Sequence, residues 1–139
     1  MSTMTTSATT DFFQGVERGS FALVLDAVDR IRSRDLQDPT TASRFLAAES
    51  EVRALAAEEQ AIHSANIQFI NGELEEANDM AAYAELHEDD EGGEDRFSRV
   101  IDLNSTLRAQ RARAELLMDE GDRLLANYSQ CAHAARSYA

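Results

Sequence analysis

The chain of 139 residues contains no lysine, one proline and one cysteine. The single cysteine, Cys131, excludes an internal disulfide framework and is typical of a protein kept in a reducing compartment. No stretch approaches the roughly 20 consecutive apolar residues that a membrane-spanning helix needs. The 13 cationic residues are all arginine and are outnumbered by 26 acidic residues, which gives a net charge of −13. This balance disfavours binding to nucleic-acid phosphates or to anionic membranes.

Motifs that carry catalysis are also missing. The sequence offers no Ser-His-Asp or Cys-His arrangement, and its Gly92-Gly93 pair lies among carboxylates that would repel a phosphate group. Glu59 and His63 are four residues apart, whereas ferritin-like di-metal proteins space their ligands as Glu-x-x-His. We therefore predict a protein that is not an enzyme and binds no cofactor or metal, with a ferritin-like metal-binding protein as a remote alternative.

The first ten residues are uncharged Met, Ser, Thr and Ala, without the cationic and apolar regions of a secretory signal peptide. We expect a disordered terminus over residues 1–10 and a single helical domain over residues 11–139, in the cytoplasm. An uncleaved signal for a specialised secretion system is the alternative, since such signals are often rich in Ser and Thr.

Apolar residues recur at steps of three and four through the rest of the chain, a period that predicts amphipathic helices and no strand. Pro39 ends the first helix, and the acidic loop around Gly92 separates the other two. We predict an all-α fold in which the last two helices form a long antiparallel hairpin. The shorter first helix completes a three-helix bundle or coiled coil. The predicted helices span about residues 11–36, 41–88 and 96–138.

Both long helices carry a heptad seam, which includes Phe69 in the second helix and Leu103 in the third. Polar residues interrupt these seams. A polar residue in a seam sets the register or the oligomeric state at some cost in stability. We assign this role to Glu59, Asn66 and Gln110.

The first predicted helix is about half as long as the other two, so it covers only part of the hairpin. The two-helix part would then expose large apolar side chains, and a contiguous apolar patch marks an interaction surface. A break at Gly72 would instead fold residues 73–88 back as a fourth helix, giving a four-helix bundle that covers the patch within a monomer. The predicted partner-binding residues are Phe69, Ile70, Leu74, Met80, Tyr83, Leu86, Phe97, Val100, Ile101, Leu103 and Leu107.

Residues 73–95 contain eleven acidic residues and no arginine, so the acidity of the chain is concentrated there. A solvated hairpin tip that prevents aggregation explains this charge, and a docking surface for a basic partner is the functional alternative. The predicted acidic tip comprises Glu85, Glu88, Asp89, Asp90, Glu91, Glu94 and Asp95.

These features favour a non-enzymatic assembly protein that acts through coiled-coil packing. Its partner would be a second copy, in a homo-oligomer, or another helical or basic protein. The alternative is an acidic chaperone or inhibitor that masks a basic or secreted partner, as secretion-system accessory proteins and nucleic-acid mimics do. Neither hypothesis requires direct nucleic-acid binding or a membrane span.

Overall fold

The computed structural model describes residues 7–139, and all of their regular secondary structure is helical, which confirms the all-α prediction. The predicted disorder of residues 1–10 lies outside the described residues for positions 1–6. Residues 8–10 form the first turn of a helix whose N-cap is Ser7. The elements are α1 Ala8–Arg18, α2 Phe21–Arg30, a 3-10 turn Ser33–Leu36, α3 Pro39–Ala47, α4 Glu49–Leu86 and α5 Gly93–Arg136.

The segment predicted as one helix over residues 11–36 is divided at Gly19. Gly19 has a φ of +65°, a left-handed conformation that favours glycine. The amide of Ser20 donates to the carbonyl of Gly15, as in a Schellman cap. The Ser20 hydroxyl then caps α2 by accepting a hydrogen bond from the Leu23 amide. The periodicity conceals this break because α1 and α2 each carry an apolar face.

A second interruption, at Ala48, separates α3 from α4 within the segment predicted as one helix over residues 41–88. The Tyr128 hydroxyl on α5 donates a hydrogen bond to the carbonyl of Phe45, and the Ala48 amide bonds the same oxygen at 3.3 Å. Phe45 therefore accepts bonds that replace the regular helical ladder. From there α4 continues without a break through Gly72, where an added Cβ would meet no neighbouring atom within 4 Å.

The helices form two compact units. Unit 1 comprises the residues up to Gln60 together with Asp119–Ala139, and unit 2 comprises Ala61–Met118. The core of unit 1 is an aromatic cluster in which the Phe45 ring lies 4.7 Å from the rings of both Phe12 and Tyr128. Other fully buried side chains complete this core, namely Val24, Leu36, Val52 and Leu124.

Unit 2 consists of the second half of α4 and the first half of α5. The two helices run antiparallel, because Asn104 on α5 bonds the carbonyl of Ala77 on α4 and Arg111 bonds the side chain of Asn71. Its small core consists of Ile70, Leu74, Ala77 and Leu107.

The loop between α4 and α5 depends on two glycines. Gly92 has a φ of +74°. An added Cβ on Gly93 would collide with the carbonyl oxygen of His87. The Gly-Gly pair therefore closes the loop for steric reasons and needs no bound ligand to explain it.

Candidate functional site

The large apolar side chains that are exposed in the described residues all lie in unit 2. The described large apolar residues of unit 1 are buried or half-buried, most of them in or against its aromatic core. Apolar surface confined to one unit in this way is typical of an interaction surface. The exposed side chains are Ile62, Phe69, Met80, Tyr83, Leu86, Ile101, Leu103 and Leu116.

The structure divides the eleven predicted partner-binding residues into three groups. Ile70, Leu74 and Leu107 are buried where α4 meets α5, so they offer little surface to a partner. Phe97 and Val100 are half-buried. The remaining six are exposed: Phe69, Met80, Tyr83, Leu86, Ile101 and Leu103.

The buried seam of unit 2 keeps Leu107 and Ala114 from the heptad seam of the sequence but departs from that seam by one residue at two other positions. Ile70 and Asn104 are buried in place of Phe69 and Leu103. The side chains of Phe69 and Leu103 at the neighbouring positions are exposed. Alanines fill much of the seam, at Ala77, Ala84 and Ala114.

The displaced seam changes which polar residue is buried. Asn66 and Gln110, predicted to interrupt the seam, are exposed, and Glu59 is half-buried. Asn104 is 8% exposed, and its Nδ2 donates to the carbonyl of Ala77 at 3.5 Å. Its Oδ1 is buried without a hydrogen-bond partner in the described part of the chain. Asn104 lies four residues after Val100 and three before Leu107, and this spacing in the sequence is the signal that could have identified it as a seam position.

A groove of about 500 Å³ lies between α4 and α5 in unit 2. Met80 and Tyr83 from α4 and Val100 from α5 give it apolar walls. Charged side chains line it as well, with carboxylates on α4 and guanidinium groups on α5. These charged residues are Glu76, Asp79, Arg96 and Arg99.

A second groove, of about 370 Å³, lies further along the same two helices. Positions separated by two heptads occupy the same side of a coiled-coil pair, so both grooves belong to one side of unit 2. Five residues of the second groove each lie fourteen positions from a residue of the first groove. The pairs are Asn66 and Met80, Ile70 and Ala84, Gln110 and Arg96, Arg113 and Arg99, and Ala114 and Val100.

Heptad spacing also places the exposed side chains relative to the grooves. On α4, Phe69 lies two heptads before Tyr83, and Ile62 lies three heptads before it. On α5, Leu103 lies one heptad after Arg96 and one heptad before Gln110. Leu116 lies about 140° around α5 from Leu103, away from the grooves. The side of unit 2 that carries both grooves is called the groove face below. Its exposed apolar side chains are Ile62, Phe69, Met80, Tyr83 and Leu103.

The charges of the groove face are available to a partner. Within residues 7–139, neither Arg96 nor Arg99 forms an ion pair, and neither Glu76 nor Asp79 does. The rings of Tyr83 and His87 contact each other at a tilt of 39°, with centroids 4.4 Å apart, and Nδ1 of His87 lies 3.0 Å from a carboxylate oxygen of Asp90.

The predicted acidic tip is assembled only in part. Glu85 lies on α4 and is exposed, as is Glu91 in the loop. No group of three or more His, Cys, Asp or Glu side chains is arranged to hold a metal ion anywhere in residues 7–139. The remaining five acidic residues line one shallow depression around Gly92: Glu88, Asp89, Asp90, Glu94 and Asp95.

Unit 1 holds two groups whose ionisation is suppressed. Burial raises the pKa of the Cys131 thiol, and the nearby Arg32 only partly opposes this effect. A thiol of this kind is a poor nucleophile because the reactive form is the thiolate. Burial also raises the pKa of Tyr128 to about 12. These residues are therefore suited to packing.

The groove face thus combines apolar walls with carboxylates on α4 and guanidinium groups on α5. None of the helices within residues 7–139 combines the length and the apolar content needed to cross a membrane. A comparison with known proteins finds no matching family model, no matching curated protein and no matching solved structure.

Proposed function

We propose that the protein is a non-enzymatic helical assembly protein whose groove face docks a helical surface. Unit 1 acts as a bundle in which the short N-terminal helices pack on the two long ones, and unit 2 acts as an antiparallel hairpin. The observation that carries the proposal is the confinement of exposed large apolar side chains to unit 2. Burying a side chain of this size contributes about 1.5–3 kcal/mol, so covering several of them drives association.

The groove between two antiparallel helices suits a helical partner. Side chains at steps of three and four on an incoming helix fit between those of the helices that receive it. Met80, Tyr83 and Val100 would contact the apolar stripe of that partner. Arg96 and Arg99 favour a partner that carries carboxylates beside its stripe, because guanidinium–carboxylate hydrogen bonds are strong and directional.

Photo-crosslinking in the cells that make the protein tests this proposal. A photoreactive phenylalanine analogue replaces Phe69 in one variant and Leu116 in the other. The two side chains are 67% and 68% exposed, so they are matched in accessibility, but only Phe69 lies on the groove face. We expect a covalent adduct of defined mass from position 69 and none from position 116.

The identity of the adduct separates the outcomes. An adduct with a second copy or with one other protein at position 69 supports the proposal. No adduct at position 69, or equal adducts at both positions, contradicts it. An adduct formed only from a third probe, at Asp90 in the acidic loop, would favour the acidic chaperone instead.

A further inference from the structure

Building on the proposed function, we infer that the partner of the groove face is a second copy of this chain. The two copies are related by a two-fold axis that runs parallel to α4 and α5 of unit 2. In this arrangement α4 of one copy lies against α5 of the other, and the two hairpins form a four-helix interface.

The first support is the alignment of aromatic and arginine side chains along the groove face. The contacts of Asn104 with Ala77 and of Arg111 with Asn71 fix the relative height of the two helices. At that alignment Tyr83 is level with Arg99, and Phe69 is level with Arg113. A two-fold axis along the groove therefore brings each aromatic ring to the height of an arginine of the second copy.

Guanidinium groups are attracted to the faces of aromatic rings. The chain already uses this contact in unit 1, where the guanidinium of Arg44 lies 4.1 Å from the centre of the Phe13 ring. The rings of Tyr83 and Phe69 are exposed in a single copy, and within residues 7–139 no arginine covers either ring, although His87 contacts Tyr83. A second copy supplies an arginine to each of them.

The second support is the distribution of charge across the groove. Glu76 and Asp79 lie on the α4 side, and Arg96 and Arg99 lie on the α5 side. A copy turned about an axis along the groove sets its arginine-bearing α5 against the carboxylate-bearing α4, with Arg99 about one helical turn from the level of Asp79. A copy turned about an axis across the groove would instead set α4 against α4, with carboxylates facing carboxylates. Charge therefore selects the first orientation.

An interface of this type uses the same patch on both copies, so it closes as a dimer and does not propagate. This fits a chain in which one side of unit 2 carries both grooves. In this arrangement α5 of each copy, which carries arginines, faces α4 of the other copy, which carries aromatic and acidic side chains.

Sedimentation velocity over a wide range of concentrations is the first test. We expect a monomer–dimer equilibrium for the natural sequence. Leu103→Asp should weaken the dimer by about tenfold or more, because it sets a carboxylate in the centre of the interface. Leu116→Asp is the matched control and should leave the dissociation constant unchanged. Both residues are exposed, at 43% and 68%, so neither change should unfold the chain, as circular dichroism will verify.

Crosslinking between two differently tagged chains then tests the orientation. Both chains carry Cys131→Ser, and one carries Glu76→Cys while the other carries Thr106→Cys. Positions 76 and 106 are level with each other on opposite helices. We expect a bismaleimide to join 76 to 106 more efficiently than 76 to 76. The reverse pattern would overturn the proposed axis.

The second copy as partner and the docking function of the groove face can be tested separately. A monomer at every concentration that still gives a position-69 adduct with a different protein would overturn the second-copy inference and leave the proposed function intact. A monomer that gives no position-69 adduct would overturn both.

Discussion

The hydroxyl of Tyr128 donates a hydrogen bond to the carbonyl oxygen of Phe45, at the junction where α3 ends and α4 begins. The same two rings lie 4.7 Å apart and are stacked. One side chain of α5 therefore fills the core of unit 1 and also satisfies a carbonyl at a helix end, where helical partners are missing.

Tyr128→Phe should lower the free energy of unfolding by about 1 kcal/mol, because it removes this hydrogen bond and keeps the ring. Urea denaturation followed by circular dichroism measures the change. Tyr138→Phe is the control, since Tyr138 is half-buried at the end of the chain, and its effect should be within a few tenths of a kcal/mol. Equal stabilities for the two variants would show that the bond to Phe45 contributes nothing.

Alkaline pH should destabilise unit 1. Burial raises the pKa of Tyr128 to about 12, above its ordinary value of 10, so the folded state holds the phenolic proton more tightly. This contribution to stability is fully present below pH 10 and is lost as the pH rises towards 12. A shift of this size corresponds to about 2–3 kcal/mol. Thermal unfolding measured across this pH range should show a loss of stability in the natural sequence. In Tyr128→Phe the stability should depend less on pH over the same range.

Gly72→Ala should stabilise the chain by about 0.5–1 kcal/mol, because alanine favours a helix interior and the added methyl group meets no neighbouring atom. Gly93→Ala is the opposing control and should destabilise the chain through its collision with the His87 carbonyl. Chemical denaturation of both variants provides the comparison. A destabilised Gly72→Ala variant would mean that α4 is interrupted at this position.

Asn104→Leu should raise the stability of unit 2 by about 1–3 kcal/mol, since it removes a buried carbonyl oxygen that has no partner within residues 7–139. Hydrogen exchange of the amides around Ala77 measures the gain. Asn104→Asp, which places a carboxylate at the same position, should accelerate that exchange. If Asn104→Leu also accelerates the exchange, the hydrogen bond from Asn104 to Ala77 stabilises unit 2 by more than the unpartnered oxygen destabilises it.

The class of fold and the long helices follow from hydrophobic periodicity, because a helix of many turns repeats its signal often. The break at Ala48 could not be found in this way. It depends on Tyr128, which is distant in sequence and reaches the helix end only after folding. The break at Gly19-Ser20 is local and was readable as a C-cap followed by an N-cap.

Six of the apolar side chains that the sequence assigns to a partner surface are exposed in unit 2, but the residues buried between its two helices differ in part from the predicted seam. Reasoning from hydrophobicity assigns Phe69 and Leu103 to the seam, whereas the structure buries Ile70 and Asn104 at the neighbouring positions and leaves the other two side chains exposed. The one-residue displacement follows from the fit of two helix surfaces to each other. Side-chain size at the contact decides that fit, and hydrophobicity alone does not encode it.

The concentration of carboxylates in residues 73–95 acts at a longer range than the apolar side chains it surrounds. Electrostatic repulsion extends over about 10 Å in dilute salt, whereas the apolar attraction requires contact. If the groove face docks a second copy as proposed, we expect the carboxylates to repel chains that approach in other orientations before their exposed rings meet. An approach that brings arginines to the carboxylates would be favoured. The acidic segment would then act as a gatekeeper against amorphous precipitation.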